Sequence, residues 1–211
     1  MLLISDVPKP ALQYGERPDP GLGIYETMLV RDGDLPGLRL HLDRIRTSAR
    51  ELYGIEPGDD LTGLLLERAS GHSGRLRVTL ARDGTTTVET GPLGPDPEPK
   101  LAPYLLPGGL GRHKWADRRL LDALAEDAQG ALPLLLDADG SVLETARTNV
   151  LIEEDGRLIG PPTDGRALPG IGRRSLTYSE EPIDLGRLLA ADSVILTSAL
   201  RVVRLQVPAA L

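Results

Sequence analysis

The sequence has no cysteine and no phenylalanine, and aromatic residues make up only 3% of its 211 positions. Without thiols there is no disulfide framework and no cysteine-based zinc site. So few rings argue against a base-stacking platform for nucleic acid. Positive charge is also in deficit, with a net charge of −7 and a pI near 5.0, where a nucleic-acid binder wants a basic face. The three histidines, His41, His72 and His113, are far apart and lack metal-ligand spacing. No run reaches the apolar length of a membrane span, and Met1–Asp6 carries no basic leader. The expectation is a soluble cytoplasmic protein with neither a membrane nor a nucleic acid as partner. Nucleotide motifs are missing too: Gly21-Leu22-Gly23 and Gly170-Ile171-Gly172 lack the third glycine of a dinucleotide fingerprint, and there is no phosphate loop or Gly-x-Ser-x-Gly elbow.

What is present is enough chain for one large domain or two small ones, with a core built from Leu, Val, Ile and Ala. The proline-rich stretch Gly91–Pro99 reads as a linker, because proline restrains itself and the residue before it. This gives an N-terminal α+β domain over 1–91, a linker over 92–100, and a C-terminal domain over 101–211 that carries Lys114. Strands are expected at 24–30, 76–82 and 85–89, with helices from about 36 or 40 to 52 and from 61 to 69. In the second half a strand over 101–106 and a helix over 117–129 precede a meander at 134–136, 142–143, 148–152 and 157–159. A short helix at 173–178 and a strand at 193–197 follow. The class is α+β: two small α/β domains with mostly antiparallel sheets.

Lysine is nearly missing as well. Of the 24 basic residues only Lys9, Lys100 and Lys114 are lysines. The first two sit among prolines, whereas Lys114 stands before a helical pattern in Gly111-Arg112-His113-Lys114-Trp115. Arginine stays charged and cannot act as a nucleophile; a lysine can lose its proton and form a Schiff base. A lysine retained against an arginine bias therefore suggests a need for an amine. The ordinary alternative is a surface lysine.

With it, five segments stand in order: Gly21-Leu22-Gly23-Ile24-Tyr25-Glu26-Thr27, His41-Leu42-Asp43-Arg44, Lys114 itself, Glu144-Thr145-Ala146-Arg147-Thr148-Asn149 with the chain's one asparagine, and Leu168-Pro169-Gly170-Ile171-Gly172-Arg173. Together they resemble the class IV aminotransferases, the pyridoxal-phosphate enzymes of fold type IV. That family includes branched-chain aminotransferase, D-amino-acid aminotransferase and aminodeoxychorismate lyase. The resemblance runs over nearly the whole chain and implies pyridoxal 5'-phosphate as cofactor, with Lys114 as its Schiff-base lysine and general acid–base. It implies Glu144 as the carboxylate on the ring nitrogen, and Arg44, Ile171, Gly172 and Ser198 as phosphate contacts. Asn149 matches the motif, either touching the cofactor or tying the loop. Tyr25, Arg77 and Ala199 are implied on the substrate side. A homodimer is also implied.

The sequence departs from the family pattern at Pro20, where Tyr is usual, at Leu22, where Asp is usual, and at Gly172, where Thr is frequent. The loop after Arg82 lacks the Arg and His that hold the carboxylate in D-amino-acid enzymes, which disfavours that specificity. The stretch after Val203 is short for the family. The functions that follow are an amino acid/2-oxo acid aminotransferase, an aminodeoxychorismate lyase acting on an amino-chorismate, or a degenerate relative that binds a ligand without turnover.

Overall fold

The computed structural model describes residues 2–4, 7–58, 60–96 and 100–207. Two compact units share the chain out of order. One takes Pro18–Pro95 with His113–Arg118; the other takes Met1–Arg17, Asp96–Arg112 and Arg119–Leu211. The sequence placed Lys114 in the C-terminal domain, but the lysine segment belongs to the unit made by the N-terminal half. In exchange, the first residues of the chain, including the short strands β1 (Leu3–Ile4) and β2 (Lys9–Pro10), belong to the other unit. Contacts drive both exchanges, through β pairing that a linear reading does not reveal. Residues 97–99 of the expected linker lie outside the described residues.

The unit around Lys114 is a three-stranded antiparallel sheet backed by two helices. Strand β3 (Ile24–Val30) leads to α1 (Leu38–Tyr53), α2 (Leu61–Ala69), β4 (Gly74–Leu80) and β5 (Thr86–Gly91), and the strand order is β3-β4-β5. In β4 alternate residues are buried, so Leu76, Val78 and Leu80 face the helices while Arg75, Arg77 and Thr79 face away. Helix α1 buries Leu42, Ile45 and Ala49 at helical spacing against that apolar side. It ends at Gly54 in the left-handed region, whose N–H donates to the Arg50 carbonyl. Leu65 is fully buried in this core, so Leu65→Ala would cost about 2–5 kcal/mol.

The larger unit has two five-stranded sheets. In the first, β6 (Lys100–Leu105) runs parallel to β1, to β2 and to β7 (Leu132–Leu136), with α3 (Arg119–Asp127) between β6 and β7 in the chain; β8 (Val142–Thr145) then pairs antiparallel to β7. The second has the order β11-β10-β9-β12-β13, from β9 (Asn149–Glu154), β10 (Arg157–Gly160), β11 (Ser179–Glu180), β12 (Ser193–Thr197) and β13 (Val202–Gln206). A short helix α4 (Leu185–Ala190) is capped by the Asp184 side chain, which accepts from the Arg187 N–H at 2.7 Å. Among the described residues no helix is long and apolar enough to cross a membrane.

The mixed α+β class stands. The helix expected at 173–178 is only a 3-10 turn, Gly172–Ser175. Arg173 turns inward there, bonding Tyr178, the Pro161 carbonyl, Thr163 and Glu180, and the chain then extends into β11.

Candidate active site

Lys114 reaches its place by strand pairing. Gly23 precedes β3 with φ +93°, and a β-carbon there would lie 2.5 Å from the Leu80 carbonyl oxygen, so only glycine fits. Beyond it, the lysine segment adds to the open edge of β3. The Tyr25 N–H donates to the Lys114 carbonyl at 2.9 Å, the Ala116 N–H donates to the Gly23 carbonyl at 2.9 Å, and Ile24 bridges Trp115. Alternation then sorts the side chains. Trp115 joins Ile24 against the apolar core, and Lys114 falls beside Tyr25. His113, next in line, is held by Ser48 Oγ, 3.0 Å from its Nδ1, and meets the Trp115 ring edge-on.

The Lys114 amine stands 4.6 Å from the centre of the Tyr25 ring, and the Arg77 guanidinium carbon stands 4.0 Å from it. Both cations therefore lie against the same ring. Tyr25 is buried. Burial pushes its phenol up, but the charges of Lys114, Arg118 and Arg77 outweigh that and hold it below the ordinary tyrosine value. The sequence-expected residues Tyr25, Arg77 and Lys114 thus converge.

Arg44 also belongs to this unit. Its Nε and Nη2 donate to the two carboxylate oxygens of Glu26 at 2.6 and 2.7 Å, and His41 Nδ1 lies 2.7 Å from the same carboxylate. Burial alone would raise the Glu26 carboxyl; the hydrogen bonds and charges of His41 and Arg44 overcome it and bring it down to about 2.

The remaining expected residues lie in the larger unit, gathered by β8, β9, β12 and the Leu168–Gly172 loop. Glu144, expected at a cofactor's ring nitrogen, is buried, and the Leu168 N–H donates to its two oxygens at 3.3 and 3.4 Å. Asn149, also buried, donates from Nδ2 to the Leu168 carbonyl at 2.8 Å. One residue of the loop, Leu168, is therefore held through both its N–H and its carbonyl, and Asn149 ties the loop down. Gly170 packs so tightly on Asn149 that a β-carbon would sit 1.6 Å from Oδ1.

Gly172 faces a second tight approach. A β-carbon there would lie 2.2 Å from the Ser198 carbonyl oxygen and 2.6 Å from Thr197 Oγ1. Ile171 and Gly172 open the 3-10 turn, where the first amides of a helix have no partner inside it. Ser198, expected to offer its hydroxyl, spends it on its own turn: Oγ accepts from the Leu200 and Arg201 amides at 3.2 and 3.3 Å. Ala199 lies inside that turn. The hydroxyl left over belongs to Thr197, which is fully buried and has no hydrogen-bond partner among the described residues. A buried unpartnered hydroxyl is costly unless a ligand completes it. Sequence reasoning missed Thr197 because a Thr-Ser pair does not say which hydroxyl points inward. The register does, since Thr197 pairs with Asn149 and shares its face.

Chemically, the chain presents an amine held beside a phenol, a buried carboxylate, and an oriented hydroxyl with neighbouring amides suited to an oxyanion. The family profile Amino-transferase class IV matches residues 23–205. Among solved structures, a candidate amino-acid aminotransferase from Mesorhizobium loti is 26% identical, with a TM-score of 0.75 over 86% of this chain and 97% of that one. A hypothetical aminotransferase from Mycobacterium tuberculosis in its PLP-bound form is 22% identical, with a TM-score of 0.73 over 90% and 84%. The 4-amino-4-deoxychorismate lyase from Pseudomonas aeruginosa is 23% identical, with a TM-score of 0.72 over 97% and 90%. The last two likenesses speak for the fold alone. No curated protein matches the chain.

Proposed function

The chain belongs to the class IV amino-transferases, and from that membership we propose that it is a pyridoxal-phosphate enzyme moving an amino group between an amino acid and a 2-oxo acid, with Lys114 as the catalytic residue. The observation that carries this reading is the Lys114 amine, fixed by β3 pairing beside Tyr25 and Arg77. The residues present fit the cofactor: the unpartnered Thr197 hydroxyl, with the Gly172 backbone packed close beside it, suits its phosphate, and buried Glu144 suits its ring nitrogen.

When bound, pyridoxal phosphate supplies an aldehyde for the lysine and a ring that takes up the electron pair released at the substrate Cα. The protein's share is positioning and proton transfer. Lys114 takes the proton from the substrate Cα and returns one, as general base and then acid. Glu144 would stand at the ring nitrogen, where a carboxylate favours the protonated form. In one unit Thr197 and the Ile171 and Gly172 amides, and in the other Arg44, are each suited to the phosphate. Tyr25 and Arg77 in one unit and the Ala199 amide in the other are each assigned to the substrate side. Asn149 acts through the loop it ties.

A second reading, pyruvate elimination from an aminodeoxychorismate, uses the same lysine. The cationic surround of Tyr25 supports it, because such a substrate carries two carboxylates. Assay of the purified holoprotein separates the two. Amino transfer that depends on an added 2-oxo acid supports the aminotransferase, and pyruvate released without an acceptor supports the lyase. Neither product, in protein that retains the cofactor, removes both. The proposed assembly is a homodimer in the cytoplasm, and light scattering at the mass of one chain would contradict the dimer.

A further inference from the structure

We propose that Glu26 is a positioning residue that aims Arg44 at the cofactor phosphate; the inference rests on the reading of Arg44 as the phosphate arginine. Alternation in β3 sends Glu26 to the side of Ile24 and Met28, into an apolar core. A carboxylate there loses its hydration, and an apolar residue of similar size would serve packing alone at least as well. Its placement calls for a purpose beyond cohesion.

The geometry supplies one. Glu26 takes the Nε/Nη2 edge of Arg44 in a two-point pair, which fixes the plane of the guanidinium and the direction of its opposite edge. His41, three residues earlier on the same face of α1, bonds the same carboxylate and keeps it from turning. The side chains of Glu26 and His41 are 1% and 2% exposed, whereas that of Arg44 retains 10%, so Arg44 is the most accessible member of the triad. A guanidinium already locked in one orientation gives up little rotamer freedom when it meets an anion.

If the triad only pinned α1 to β3, removing the carboxylate would change stability and leave ligand selectivity alone. The test is therefore the ratio of two affinities. The full-length apoprotein is titrated with pyridoxal phosphate and with pyridoxal, which lacks the phosphate, following the visible absorbance; the ratio of the pyridoxal dissociation constant to that of pyridoxal phosphate isolates the phosphate. In Glu26→Gln this ratio is expected to fall at least tenfold, with pyridoxal affinity within threefold of wild type. An unchanged ratio in folded Glu26→Gln, or equal losses for both ligands, overturns the proposal. Should Glu26→Gln fail to fold, Glu26→Asp keeps the charge but shortens its reach, and the same ratio is expected to fall severalfold; an unchanged ratio there also overturns it. Arg44→Ala guards the premise. If that variant keeps the wild-type ratio, the reading of Arg44 fails and the proposal with it. If Arg44→Ala lowers the ratio and Glu26→Gln does not, the premise holds and the positioning role alone fails.

Discussion

Lys114 is far along the chain from Tyr25, yet a pair of backbone hydrogen bonds makes them neighbours. Two expectations follow at the scale of single residues. Lys114→Ala removes the proton carrier and should lower kcat/KM by roughly 10²–10⁴-fold while leaving the fold intact, as steady-state kinetics and circular dichroism would register. A variant with unimpaired turnover would remove Lys114 from the reaction. Tyr25 is held below the ordinary tyrosine value by the cations around it, whereas Tyr53 and Tyr104 are raised, chiefly by burial. In an alkaline titration followed at the phenolate absorbance, one of the five tyrosines should therefore ionise below the ordinary tyrosine range. That early step should vanish in Tyr25→Phe, and its persistence there would mean that another tyrosine carries it.

At the scale of elements, the end of β12 and the turn at Gly172 make a further expectation that joins stability to function. Thr197→Val keeps the shape and removes a buried, unpartnered hydroxyl. The apoprotein should gain about 1 kcal/mol in denaturant unfolding, because the orphaned group no longer costs its desolvation. Affinity for pyridoxal phosphate should fall at the same time. A gain in stability with unchanged affinity would leave Thr197 outside the site. Elements of this kind were only partly legible in the sequence. Helices α1 and α2 and strands β3 and β4 stood out because apolar residues recur at fixed spacing. The pairing that fixes Thr197 opposite Asn149 did not, since register comes from tertiary contact. The short β1, β2 and β11, each two residues long, carry no period to read. Strand β13 and helix α4 were also not foreseen.

The whole molecule couples pH to stability through Glu26. Its folded value, about 2, lies below the ordinary 4.5. A depressed carboxyl stabilises the folded state above its unfolded pKa, and that contribution drains away as pH falls from about 4.5 towards 2. The window is worth on the order of 3 kcal/mol in all. Urea unfolding at pH 6 and pH 3 should therefore show a smaller pH dependence in Glu26→Gln than in wild type; equal slopes would detach Glu26 from the acid response. The family was legible because the motifs that resemble it recur in order over nearly the whole chain. The allotment of residues to units was not: the chain leaves one unit for His113–Arg118 and returns, a path that linear composition does not encode. All of this depends on Lys114 being the amine that takes the cofactor, which borohydride reduction of the protein with pyridoxal phosphate, followed by peptide mass mapping, tests most directly. The account predicts a single pyridoxyl label on the peptide containing Lys114, lost in Lys114→Ala; a label on Lys9 or Lys100 instead, or none at all, would contradict it.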